Sequence, residues 1–176
     1  MPRMLRRLLL CATLLSATLP ACTPALDWRE VRVEGTQASA LFPCKPKSQS
    51  RQAAIGGVPT RMTLLSCEAD GHTFALAHTD LGDPARVGPA LVEMAAALPA
   101  NVQAVTMRAE PLAVPGMTPS VQARRLWIEG RMPDGSPVTE QAALFAHGTR
   151  VYQAAVLGAR PGAPAQTFFD SLRLGS

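Results

Sequence analysis

Any chemistry in this chain of 176 residues has to start from three histidines (His72, His78, His147), four cysteines (Cys11, Cys22, Cys44, Cys67) and a few paired carboxylates. His72 and His78 are six residues apart in a stretch that reads as one strand, so they share a face. At roughly 3.3 Å per residue their Cα atoms stand about 20 Å apart, too far to ligate one metal. His78 with Asp80 or Asp83 is an easier partial site. His147 falls in a turn and needs no special role. The pairs Asp80/Asp83 and Glu68/Asp70 lie in or near turns, where carboxylates more often cap and solvate than act as acid and base. No Gly-x-Ser-x-Gly, His-Glu-x-x-His, phosphate loop or Gly-x-Gly-x-x-Gly occurs. The expectation is no catalytic residue, no metal site and no cofactor. Trp127, beside Arg124 and Arg125, can line a binding surface. The core is the favoured place for it, because a sheet covered on one face buries alternate residues of every strand.

The cysteines divide by position. The chain opens with three arginines, Arg3, Arg6 and Arg7, and no acid, followed by an almost wholly apolar or small run over residues 8–19. That run is shorter than the roughly 20 residues of a membrane-spanning helix. It has the length of the apolar core of a secretory signal peptide. Leu19-Pro20-Ala21-Cys22 then looks like a lipobox, which implies diacylglycerol on Cys22 and cleavage before it. Pro20 departs from the small residue usual there. Ordinary cleavage without a lipid is the alternative, and it would set Leu19 where a small residue is wanted. The expected organisation is a signal peptide over 1–21, a lipid-anchored linker over 22–26 and one domain over 27–176. Thr23 after the anchor, in place of aspartate, implies sorting to the outer membrane, with the domain on the periplasmic side of a bacterial envelope. Cys11 leaves with the signal. Cys44 and Cys67 remain in an oxidising compartment, where two thiols usually pair, and a disulfide between them is predicted. A catalytic redox pair is the alternative, without the Cys-x-x-Cys spacing that would favour it.

Removing residues 1–21 leaves 155, one domain of ordinary size. Three of the 17 Lys+Arg and none of the 13 Asp+Glu go with them, so the net charge falls from +4 to +1. Nucleic-acid binding, which needs clustered positive charge, is not expected. Arg124, Arg125 and Arg131 have acids interspersed and read as a solvated strand face.

Positioning falls to short strands and two helices. Residues 27–34 alternate around Trp28, Val31 and Val33, and residues 38–44 form a second strand closed by Pro43 and Pro46. Residues 48–55 form a third, with Gly56-Gly57 as a hairpin signal. Asp70-Gly71 joins residues 60–69 to 72–79 in a type I′ hairpin. That register sets Cys67 opposite Phe74, Leu65 opposite Leu76 and Thr63 opposite His78, and points Cys67 into the core. Asp83-Pro84 opens a helix with Val87, Leu91, Met94 and Leu98 on one face, ended by Pro99. Within 101–122, Met107-Arg108 and residues 112–114 read as short edge strands. A meander over 121–132, 138–146 and 151–157 follows, and a short helix over 165–171 precedes Leu172-Arg173-Leu174. The turn between the last two meander strands fits either a two- or a three-residue loop.

The Trp28 strand, the strand end Phe42-Pro43-Cys44-Lys45-Pro46 and the closing Phe168-Phe169-Asp170-Ser171-Leu172-Arg173-Leu174 together resemble the PsbP/Mog1-like superfamily. The chain also resembles small proteobacterial lipoproteins of this layout. The resemblance implies an α+β fold: a central antiparallel sheet of about six to seven strands with one main helix and a short C-terminal helix. It also implies an assembly factor or binding module without catalysis. The expected role is a non-catalytic, protein-binding or accessory envelope lipoprotein, held to the membrane through Cys22 and meeting an envelope protein partner. A periplasmic small-ligand or metal carrier is the alternative, with the Pro-rich segment 108–119 covering a pocket beside the sheet. An enzyme whose site forms only in three dimensions is the remote one.

Overall fold

The computed structural model describes residues 25–175. Residues 1–24, and with them the expected signal peptide over 1–21, Cys11 and Cys22, lie outside the described residues. The fold is α+β. In chain order it runs β1 (Arg29–Arg32), β2 (Ala38–Phe42), β3 (Lys47–Ile55), β4 (Val58–Ala69), β5 (His72–Asp80), α1 (Pro84–Asn101), β6 (Thr106–Pro111), β7 (Arg124–Arg131), β8 (Pro137–His147), β9 (Arg150–Gly158), α2 (Ala163–Asp170) and β10 (Arg173–Leu174).

Seven strands form one antiparallel sheet in the order β3-β4-β5-β9-β8-β7-β6. The first two strands do not join it. They make a second sheet with the C-terminal strand, in the order β1-β2-β10. One central sheet was the expectation; two are found. Pro43 and Pro46 break the ladder after β2 and let the chain cross from one sheet to the other. The Cys44–Cys67 disulfide, with Cα atoms 6.0 Å apart, fastens that crossing to β4.

The large sheet is covered on both faces. Leu91, Met94 and Leu98 of α1 pack on one face against Leu126, Ile128, Leu144 and Val151. The small sheet and α2 cover the other, where Phe42, Phe74 and Phe168 meet edge-to-face at 5.1 and 5.7 Å between centroids. Burying each such ring contributes roughly 1.5–3 kcal/mol. β8 is buried on both sides from Ala142 to Ala146, so it reads as the unbroken apolar run Ala-Ala-Leu-Phe-Ala.

Local chemistry explains the element ends. The Asp70-Gly71 hairpin has positive φ at both residues, and the register is as predicted, with Cys67 opposite Phe74 and Thr63 opposite His78. His147 pairs with Arg150, which settles the last hairpin as a two-residue loop. The Asp83 carboxylate accepts from Ala85 N–H at 2.9 Å and caps α1. Pro99 does not end that helix, which continues to Asn101. A proline so near the C-terminus removes one backbone bond, and burial of Leu98 and Val102 holds the last turn in place. β6 extends beyond Met107-Arg108, whereas residues 112–114 form no strand. β7 begins at Arg124, because Val121 is 77% exposed in the preceding turn. Pro164 sits in the first turn of α2 and lets that helix begin at Ala163.

Candidate functional site

The three histidines lie in separate structural surroundings. His72 packs edge-on to Phe74 and against Gly158. His78 lies over Tyr152, with burial and then Arg150 holding its pKa below the ordinary imidazole value. His147 Nδ1 makes a 2.8 Å hydrogen bond with the Gly116 carbonyl. Asp80 is a structural acceptor, bonded by Thr149, Gly82 and Arg150, while Asp83 is a helix cap. Glu68 and Asp70 stand exposed at a hairpin end. Among the described residues no three His, Cys, Asp or Glu side chains group as metal ligands. Cys44 and Cys67 are bonded to each other.

Two candidate sites flank the core: a groove with an adjoining outer recess, and a cleft. The first is a groove of about 640 Å³ between β1 and the polar face of the β3–β4 hairpin. Val33 N–H donates to Ala38, so Val33, Val31 and Arg29 bond to β2, and the backbones of Glu30 and Arg32 face the free edge. The small sheet covers the β5-β9-β8 part of the larger one. Beyond it the floor is polar, with Ser50 and Thr63 hydroxyls 3.0 Å apart. Arg32, Lys45 and Arg61 line this groove together with Glu30 and Glu34, and none of the five makes an ion pair among the described residues. A further recess of about 560 Å³ borders Glu30 and Arg32 from the outer face of the small sheet, so the free edge of β1 is open on both sides.

The second site is a cleft of about 430 Å³ between segment 111–115, β7 and α2. The Pro-rich segment, which the alternative carrier reading sets over a pocket beside the sheet, forms one wall here. Leu112 N–H bonds to Ala123, Leu174 N–H to Pro115 and Thr118 N–H to Ala146, which fixes that wall to three elements. Trp127 and Arg125 point to the same side of β7, two residues apart. Trp127 is half-buried at the cleft, not sealed in the core, with the Arg108 guanidinium 3.8 Å and the Arg125 guanidinium 5.1 Å from its ring centroid. The solvated strand face expected for the arginine cluster is corrected at Arg125. This side chain is only 8% exposed and stacks 3.0 Å from the Phe169 ring centroid. One of its nitrogens donates to Gln141 at 2.6 Å, and Gln141 in turn donates to Pro161 at 2.8 Å. The other, Nη1, is buried with no hydrogen-bond partner. Burial lowers the Arg125 pKa to about 10, with Asp170 partly opposing.

Sequence reasoning named Arg125 and Trp127 but missed Gln141, Phe169 and the buried Glu140. The available signal was register: Gln141 lies directly opposite Trp127 and diagonally across from Arg125. No protein-family model matches this chain, and no curated protein matches it.

Proposed function

We propose that this chain is an exported bacterial envelope protein, lipid-anchored at Cys22, whose PsbP/Mog1-like domain is a non-catalytic binding module for a partner protein. The basic opening, the apolar run and the lipobox-like Leu19-Pro20-Ala21-Cys22 support the address. The Cys44–Cys67 disulfide suits an oxidising compartment. The single observation that carries the binding reading is the free edge of β1, open on both sides and facing a groove of about 640 Å³. Unpaired backbone groups at Glu30 and Arg32 are a template for an added strand, and such pairing supplies affinity without catalytic groups. The occupant is an extended segment of the partner carrying both acidic and basic side chains, because Arg32, Lys45 and Arg61 share the groove with Glu30 and Glu34, none of them in an ion pair among the described residues. An anchor at Cys22 is seven residues from Arg29, which bounds the distance from lipid to β1 at about 25 Å of extended chain.

The test places a photo-cross-linking residue at Arg32, or at Val92 on the exposed side of α1, in cells carrying the full chain. A Cys22→Ala strain runs beside them. The expected result is one identified partner, captured from position 32 and not from 92, and lost when Cys22 is replaced. A synthetic peptide of the captured segment should then slow hydrogen exchange at the amides of Glu30 and Arg32. Equal capture at both positions, or no protection by the peptide, sinks this reading.

A further inference from the structure

The cleft beside β7 plays no part in that groove, and it contains an unmet electrostatic need. Arg125 is almost wholly buried, no carboxylate lies within ion-pair distance of it among the described residues, and Nη1 lacks any partner. An unpaired donor on a buried cation is among the more costly defects a fold can carry. The other charges of the cleft are already engaged. Glu110 is paired with Arg108, and Asp170 accepts from Gln166 at 2.7 Å. What the cleft lacks is therefore an acceptor for Arg125, not a cation.

We infer that this cleft is a second binding site, for a small ligand that carries one carboxylate on a compact apolar body. The carboxylate matches the guanidinium fork. The apolar body has Trp127 and Leu112 to lie against. One carboxylate balances the one unpaired cation of the cleft, whereas the second charge of a phosphate would meet Asp170, which no cation pairs among the described residues, so a monocarboxylate is selected over a phosphate. A cleft of about 430 Å³ falls in the range of roughly 300–1,000 Å³ usual for small-molecule sites. Its wall 111–115 is held by backbone bonds, so the site is preformed there. Phe169, a half-buried side chain near the end of α2, lies over the guanidinium and must turn aside for the carboxylate to enter. Rotation of its ring off Arg125 opens Nη1 to the cleft.

The chain has two tryptophans, so Trp28→Phe leaves Trp127 as the sole indole reporter. The experiment titrates benzoate, and separately its neutral analogue benzamide, into the full chain in detergent micelles and follows Trp127 emission. Benzoate should give a saturable change at a concentration at least about ten-fold lower than benzamide, the margin of one charge-assisted hydrogen bond. Phe169→Ala should tighten benzoate binding, because it removes the cover and leaves Arg125 in place. Arg125→Gln should abolish the preference for benzoate; if that variant fails to fold, the benzoate–benzamide contrast with Arg125 intact decides alone. Apolar tripeptides with free or amidated C-termini then separate the two sources of carboxylate. Tighter binding of the free-ended peptide than of benzoate assigns the site to a chain end, and its exclusion assigns it to a free small acid. Equal response to benzoate and benzamide, or no saturation by either, overturns the inference whatever becomes of the β1 groove.

Discussion

Replacing Glu140 with glutamine should abolish a loss of stability that the native chain suffers as the pH rises from about 5 to 8. Glu140 lies on β8 between Ile128 of β7 and Leu157 of β9, and strand alternation turns it with Val138 and Ala142 toward the α1 side. It is 6% exposed and makes no side-chain hydrogen bond among the described residues. Burial therefore pushes its pKa from 4.5 up to about 7. The folded chain then holds this proton more tightly than the unfolded chain does. Between pH 4.5 and about 7 the folded state binds more protons, so stability falls as the pH rises through that window. At 1.36 kcal/mol per pH unit, the gap corresponds to roughly 3 kcal/mol lost by pH 8. His78 works in the opposite direction, since its lowered pKa makes acid the destabilising condition. That contribution is common to both proteins and cancels in their difference. The assay is urea unfolding of the native chain and Glu140→Gln at pH 5 and pH 8 with the disulfide intact. The variant should gain about 2 kcal/mol relative to the native chain between the two pH values, because part of the effect is already lost at pH 5. A difference between the two proteins that stays constant with pH would refute the argument that this carboxyl is desolvated in the fold.

Two further outcomes are expected. Cys44→Ser with Cys67→Ser opens a cross-link spanning 23 residues, so urea unfolding should show a loss of about 3 kcal/mol, and dithiothreitol should destabilise the native chain but not the double variant. Gly130→Ala would drive a methyl group into the Val102 carbonyl, which accepts from Arg131 at 2.7 Å, so thermal unfolding should report a loss of about 1–3 kcal/mol as the end of α1 is pushed off β7.

Much of the local structure is written in short-range chemistry. Asp70-Gly71 is a turn because both residues adopt positive φ, and that turn alone fixes Cys67 opposite Phe74. The Asp83-Pro84 start of α1 and its apolar face at Val87, Leu91, Met94 and Leu98 follow from capping and a period of 3.6. The pairing of Cys44 with Cys67 follows from counting thiols once Cys11 and Cys22 are assigned elsewhere. Pro99 misled because a helix-breaking residue was judged by its propensity, whereas the burial of Leu98 and Val102 outweighed one lost bond.

The sequence by itself determined the register of the β4–β5 hairpin, the start of α1 and the disulfide, because each depends on residues a few positions apart or on the number of available partners. Only the tertiary structure decided that β1 and β2 leave the main sheet, that the main sheet is covered on both faces, and that Arg125 is buried between Trp127 and Phe169. Phe169 and Arg125 are far apart along the chain, and α2 brings them together only after β9 has completed the sheet. A charged strand residue carries no local mark that an aromatic ring from a distant helix will cover it. Both candidate recesses depend on such long-range packing, and for that reason neither could be read from spacing alone.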